Sequence, residues 1–229
     1  SDARGDAAPD PPANLAPPMS AIASALRRPL WPGGPGYFVL RAISQWIAAT
    51  GLGLSIEGGE RVPAGGFVLA SNHQSFLDPW LLGAACPRPV RFLARRSLFR
   101  NPVFGLLIRS LGAIPLGSDG DDQPGSAGIR GAVEAIREGC GMVIFPEGSR
   151  GVRGVLREFR RGALFLARQA DVPVVPVCVD GCWRAWPPGR LLPRPSPVRI
   201  SFGEPVRLEA LGDDPAGAVR ARVEDLLAT

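Results

Sequence analysis

The chain has 229 residues, a formal charge of +5 and 45% hydrophobic residues, which suits one domain with a sizeable core, or one domain with a tail. Its positive charge comes from arginine alone; with no lysine, a P-loop, a pyridoxal Schiff base and a Ser-Lys dyad are excluded. A single histidine and four cysteines without Cys-x-x-Cys spacing exclude a histidine-rich zinc site, a zinc ribbon and a thioredoxin-like motif, so Cys86, Cys140, Cys178 and Cys182 read as buried free thiols.

The chain opens Ser1-Asp2 without methionine, as a processed or excised piece does. Residues 1–35 hold Pro11-Pro12, Pro17-Pro18 and Pro32-Gly33-Gly34-Pro35 and little apolar periodicity, which predicts a disordered tail or linker before a domain over 36–229. No continuous apolar region marks a signal peptide, and no run of about 18 uncharged apolar residues marks a membrane-spanning helix. From Tyr37 to Leu54, Tyr37, Phe38, Leu40, Ile43, Trp46, Ile47 and Leu54 recur at helical spacing, with Arg41, Ser44 and Gln45 on the polar side. This amphipathic helix either packs on the core or lies in a membrane interface with Trp46 and Arg41 as anchors.

Strands follow at 55–57 and at Phe67–Ala70, the second leading through Ser71-Asn72-His73-Gln74-Ser75-Phe76-Leu77-Asp78 into a helix from Pro79 to about Ala85. Val90–Ala94 reads as a strand, Pro102 to about Leu111 as a helix, Ala113–Leu116 as a strand and 117–125 as a loop. Ile129, Val133 and Ile136 predict a helix ending at Gly139, before the strand Met142–Phe145 and the turn Pro146-Glu147-Gly148-Ser149-Arg150. A helix over 162–169, a strand over 172–179, an unassigned Pro- and Arg-rich stretch over 181–197, a strand over 198–202 and a terminal helix from Asp214-Pro215 complete the chain. The alternation argues an α/β fold, one domain with a largely parallel central sheet flanked by helices.

Any chemistry that needs an imidazole must use His73, and Asp78 is the nearest carboxylate able to fix its tautomer. His73 would stand in the turn after a strand, where open α/β sheets place their ligands. The bland alternative is a polar loop in which Asp78 only caps the helix before Pro79.

Taken together, His73-x4-Asp78 and Phe145-Pro146-Glu147-Gly148-Ser149-Arg150 resemble the glycerolipid (lysophospholipid) acyltransferase family. The resemblance continues through Arg95–Phe99 with Gly112–Leu116, Phe159–Ala163 and Val172–Val177, in the family's order. It implies a glycerol-3-phosphate acyltransferase-like fold and transfer of an acyl group from an acyl thioester, on coenzyme A or acyl carrier protein, to a lysophospholipid hydroxyl, foremost 1-acyl-glycerol-3-phosphate. No metal or bound cofactor is implied, and the location implied is peripheral, at the cytoplasmic face of a membrane. In this reading His73 is the general base and Asp78 its orienting partner. Glu147, Gly148 and Arg150 match the acceptor-binding block, and Arg95, Arg96, Arg160 and Arg161 are possible contacts to donor or phosphate. Ser118 departs from the pattern, which commonly has an arginine there, so Arg95, Arg96 or Arg153 would have to compensate or the acceptor is a different lyso-lipid.

Three alternatives stay open at this level. Arg150 can be a surface partner of Glu147 or Glu158, a covalent route can run through Cys86, Cys140 or a serine, and the chain can be a non-catalytic basic domain binding lipid or nucleic acid. Against the covalent route stands the lack of a Gly-x-Ser-x-Gly elbow. Against nucleic acid stands that the aromatic residues do not interleave with the arginines in any recognised nucleic-acid pattern, and that the His-Asp and Glu-Gly-x-Arg blocks have no role in that reading.

Overall fold

In a computed structural model the structure describes residues 35–102, 105, 108, 112–116, 126–151, 155–187, 190 and 192–229. The tail expected over 1–35 therefore lies outside the described residues up to position 34, as do the loop 117–125 and most of the helix expected from Pro102, of which Pro102, Gly105 and Ile108 are helical.

Seven strands form one sheet in the order β1-β7-β6-β2-β5-β3-β4, where β1 is Leu54–Glu57, β2 Phe67–Ser71, β3 Val90–Arg95, β4 Ala113–Leu116, β5 Gly141–Ile144, β6 Val174–Asp180 and β7 Val198–Phe202. All neighbours are parallel except β6 and β7. The expected sheet is thus largely parallel, with β7 and β1 running against the other five. Alternation of polarity along Val198–Phe202 carries no information about strand direction, so this reversal was not readable.

Strand β2 lies at the centre and is buried along its whole length. Its residues alternate between two cores, as a pleated strand requires. Phe67 and Leu69 pack with Val143, Val175 and Val177 toward the helices α1 (Pro35–Leu52) and α2 (Leu77–Ala85). Val68 and Ala70 pack with Met142, Ile144 and Val174 toward α3 (Ser126–Arg137), α4 (Phe165–Ala170) and the terminal helix, α6 (Pro215–Ala228), which follows a short α5 (Cys182–Ala185). Helices on both faces are what make continuous apolar strands affordable in a parallel sheet. The terminal helix begins as read, with the Asp214 carboxylate accepting the Gly217 amide at 3.2 Å.

Helix α1 is the expected N-terminal helix, and its two sides are used unequally. The residues assigned to its polar side are the ones that face the protein. The Arg41 Nε and the Gln45 amide both donate to the Ala84 carbonyl near the end of α2, at 3.0 and 2.8 Å, and the Trp80 indole donates to Ser44 Oγ at 3.3 Å. Carbonyls at a helix end lack intrahelical donors, so the cation and amide satisfy an acceptor that α2 leaves open. Arg41 is therefore a helix–helix clasp. The apolar residues Ile43, Trp46 and Ile47 form an outward stripe, 50%, 69% and 47% exposed.

The topology decides what meets at the sheet's end. Strands β5, β2 and β6 are adjacent and parallel, in register through Ala70 with Ile144 and Ser71 with Val177. The segments that follow them, beginning at Asn72, Phe145 and Gly181, consequently leave the sheet at one edge.

Candidate active site

The loop after β2 is built around one carboxylate oxygen. Asp78 Oδ2 accepts the amides of Gln74 and Ser75 at 2.6 and 2.7 Å and stands 2.8 Å from His73 Nδ1. Helix α2 begins at Leu77, with Phe76 at its N-cap and no side-chain cap, so the N-cap role considered for Asp78 does not hold. Asp78 instead folds the loop back on itself and holds the imidazole. A carboxylate oxygen only accepts, so Nδ1 carries the proton and Nε2 presents a lone pair. The imidazole side chain is 19% exposed and stacks on Phe145, with ring centroids 4.0 Å apart. Asp78 itself is fully buried, and its Oδ1 has no hydrogen-bond partner among the described residues.

Two further ties anchor this loop. The Asn72 side-chain amide both donates to the Val179 carbonyl at 2.8 Å and accepts the Val179 N–H at 2.7 Å, extending the β2–β6 pairing past the strand end. Ser75 Oγ donates to the Trp186 carbonyl at 2.9 Å.

The turn after β5 grips the His73 backbone from both sides. The amide of His73 donates to Glu147 Oε1 at 2.7 Å, and its carbonyl accepts the Gly151 amide at 2.7 Å. The second Glu147 oxygen accepts the Arg157 amide at 3.2 Å. Glu147 is 3% exposed, and burial raises its pKa against the opposing pull of those two amide donors. With a main-chain amide on each oxygen, Glu147 is a brace between the two loops. Gly148 has φ +71, and a Cβ there would stand 2.7 Å from Arg160 Cζ, so a side chain is resisted by backbone strain and by that guanidinium together.

Arg150 has neither of the ion-pair partners considered for it. Glu147 is spent on amides, and Glu158 stands 3.8 Å from Arg220. Among the described residues the Arg150 guanidinium has no hydrogen bond or ion pair. It lies over the Phe76 ring, 3.8 Å from the centroid.

Of the other arginines expected here, Arg160 is exposed and donates its amide to the Pro146 carbonyl at 3.0 Å, which puts it beside the turn. Arg96 is exposed in the 3-10 turn Arg96–Phe99 after β3. The side chains of Arg95 and Arg161, and the whole of Ser118 and Arg153, lie outside the described residues.

The nucleophiles of a covalent route are poorly placed. Cys86 is buried at the far end of α2 and pushed up to about 12 by desolvation, and Cys182 is driven higher by burial first and then by the Asp78 charge. Cys140 is raised by burial as well. Ser75 is committed to Trp186, and Ser149 accepts from the Arg157 guanidinium. Phe76 and Trp186 are the site residues that the sequence did not announce. Their rings lie 6.1 Å apart, and Trp186 comes from the Pro- and Arg-rich stretch that resisted assignment.

A family model described as Acyltransferase matches residues 53–180, a span that takes in His73, Asp78, Glu147 and Arg150. The chain belongs to the acyltransferase family. This acyltransferase is 32% identical over 136 residues to the chloroplastic 1-acyl-sn-glycerol-3-phosphate acyltransferase BAT2 of Brassica napus, covering 58% of this chain and 39% of that protein. It is 29% identical over 161 residues to the 1-acyl-sn-glycerol-3-phosphate acyltransferase of Bacillus subtilis, covering 67% and 76%. The chain spans about two fifths of the length of the plant chloroplast relatives. Its fold matches the crystal structure of the 1-acyl-sn-glycerophosphate acyltransferase PlsC from Thermotoga maritima with a TM-score of 0.70 at 24% identity, over 92% of this chain and 90% of that one.

Proposed function

We propose that this acyltransferase moves a fatty acyl group from an acyl thioester, carried by coenzyme A or acyl carrier protein, to the hydroxyl of 1-acyl-glycerol-3-phosphate. The observation that carries the reading is a hydrogen-bonded His73–Asp78 pair whose loop is tied to a turn bearing a guanidinium with no hydrogen bond or ion pair among the described residues. A thioester carbonyl is already electrophilic, so the protein's task is to hold both partners in line and take the hydroxyl proton. His73 Nε2 takes that proton, and Asp78 stabilises the imidazolium that forms. The alkoxide attacks the thioester carbon, the C–S bond breaks, and the thiolate leaves with the proton returned from the imidazolium. Arg150 offers the planar fork that suits a phosphate bidentately. The relatives' names support lysophosphatidate as the acceptor.

Thiol release from acyl-CoA or acyl carrier protein with a panel of lyso-lipids tests the reading. In Arg150→Ala the KM for lysophosphatidate rises by about tenfold or more, since a charged hydrogen bond contributes about 1.5–3 kcal/mol. An unchanged KM with intact turnover removes Arg150 from the site.

The same reading places the protein peripherally on a membrane. No helix among the described residues is long and apolar enough to cross one. What supports surface binding is the outward stripe Ile43, Trp46 and Ile47 on a helix whose polar side is already used against α2. Burying one such side chain contributes about 1.5–3 kcal/mol. Trp46→Ser with Ile47→Ser is therefore expected to abolish co-flotation with phospholipid vesicles while leaving the thermal midpoint unchanged. Undiminished flotation counts against the stripe.

A further inference from the structure

Phe76 has an unusual position for a large apolar side chain. It is the N-cap of α2, two residues before Asp78, and is 51% exposed. An aromatic ring left half in water contributes little by burial, so its placement needs another account. One is at hand on either side of it. Arg150 Cζ stands 3.8 Å above its centroid, and Trp186 lies 6.1 Å away with the rings tilted by 55°. Trp186 is held in turn, its indole donating to the Arg190 carbonyl at 2.8 Å and its own carbonyl accepting from Ser75 at 2.9 Å.

We propose that Phe76 is a positioning residue for the acceptor phosphate, a platform that holds the Arg150 guanidinium flat and turns its N–H edge toward the ligand. The inference rests on Arg150 binding the acceptor's phosphate. A guanidinium over an aromatic face is attracted by the ring's negative quadrupole, and the contact occupies the plane of the cation and not its donors. A free arginine loses much rotamer freedom when it grips an anion; one already laid on a ring loses less. No carboxylate competes for those donors among the described residues, so the ring fixes the side chain without neutralising it. Trp186 lies beside Phe76 and so joins the segment after β6 to the phosphate site.

The test is steady-state kinetics on the full chain with acyl-CoA and lysophosphatidate. Phe76→Leu keeps the apolar bulk and removes the quadrupole. Its KM for the acceptor should rise about three- to thirtyfold, the range of a cation–π contact, with kcat and the donor KM unchanged. Phe76→Tyr and Phe76→Trp, which keep an aromatic face, should restore the wild-type KM. In the Arg150→Ala background, Phe76→Leu should add nothing, because the ring acts only through the cation. An unchanged acceptor KM in Phe76→Leu, while Arg150→Ala raises it, overturns the platform. So does a Phe76→Leu effect that persists at full size without Arg150, which would mean that the ring touches the acceptor itself. If Arg150→Ala leaves the KM unchanged, the phosphate reading of Arg150 fails, and the platform fails with it.

Discussion

Replacing His73 by alanine is expected to lower kcat about 10²- to 10⁴-fold, the range lost when a positioned general base is removed. The chain offers no substitute, because His73 is its only histidine. The effect should be chemical and not structural. The loop is held by the His73 backbone, through Glu147 and Gly151, and by the Asp78 contacts to Gln74 and Ser75, none of which needs the imidazole. Circular dichroism and the thermal midpoint should therefore stay near wild type while thiol release collapses. Wild-type turnover in His73→Ala on the best acceptor would end the general-base assignment.

Glu147→Ala should be at least as damaging, by a different route. It leaves the buried amides of His73 and Arg157 without their acceptor, and hydrogen bonds to a charged group contribute about 1.5–3 kcal/mol each. For a domain of this size every 1 kcal/mol corresponds to about 2–4 °C, so a fall in thermal midpoint of roughly 6–24 °C accompanies the loss of activity. The comparison with Glu147→Gln has a pH signature. Burial raises the folded-state pKa of Glu147 above its ordinary 4.5, so the native state holds the proton more tightly than the unfolded chain does. That contribution is fully present below the unfolded pKa and is lost as pH rises through the folded one. Glutamine does not titrate, so the wild-type advantage over Glu147→Gln is largest in acid and narrows as pH rises through that window. Thermal melts of both proteins across the acidic range measure it. A midpoint unmoved by Glu147→Ala would remove the brace.

Much of this arrangement was legible because two apolar runs, Phe67–Ser71 and Gly141–Ile144, end abruptly in polar turns with distinctive residues. Their adjacency in the sheet then brings His73 and Glu147 together. The role of Glu147 was hidden, since a glutamate beside Gly148 in a turn reads as a solvated group or a ligand contact, and only the fold shows that two main-chain amides consume it. In helix α1 the use of each face was hidden for another reason. Periodicity locates an apolar stripe but does not say what lies against it, and here the small and hydrogen-bonding residues Ser44, Gln45 and Arg41 fit the end of α2 better than Trp46 or Ile47 would. Trp186 sat in a stretch whose prolines erase any period, so its approach to Phe76 had no signal in the spacing.

The grip of the β5 turn on both the amide and the carbonyl of His73 reaches beyond stability. Proton acceptor and guanidinium stand on two loops clamped together at the His73 backbone, so the span between them is set by that junction more than by side-chain choice. On the proposed reading the cleft then works as a gauge, sorting acceptors by how many bonds separate the hydroxyl from the phosphorus.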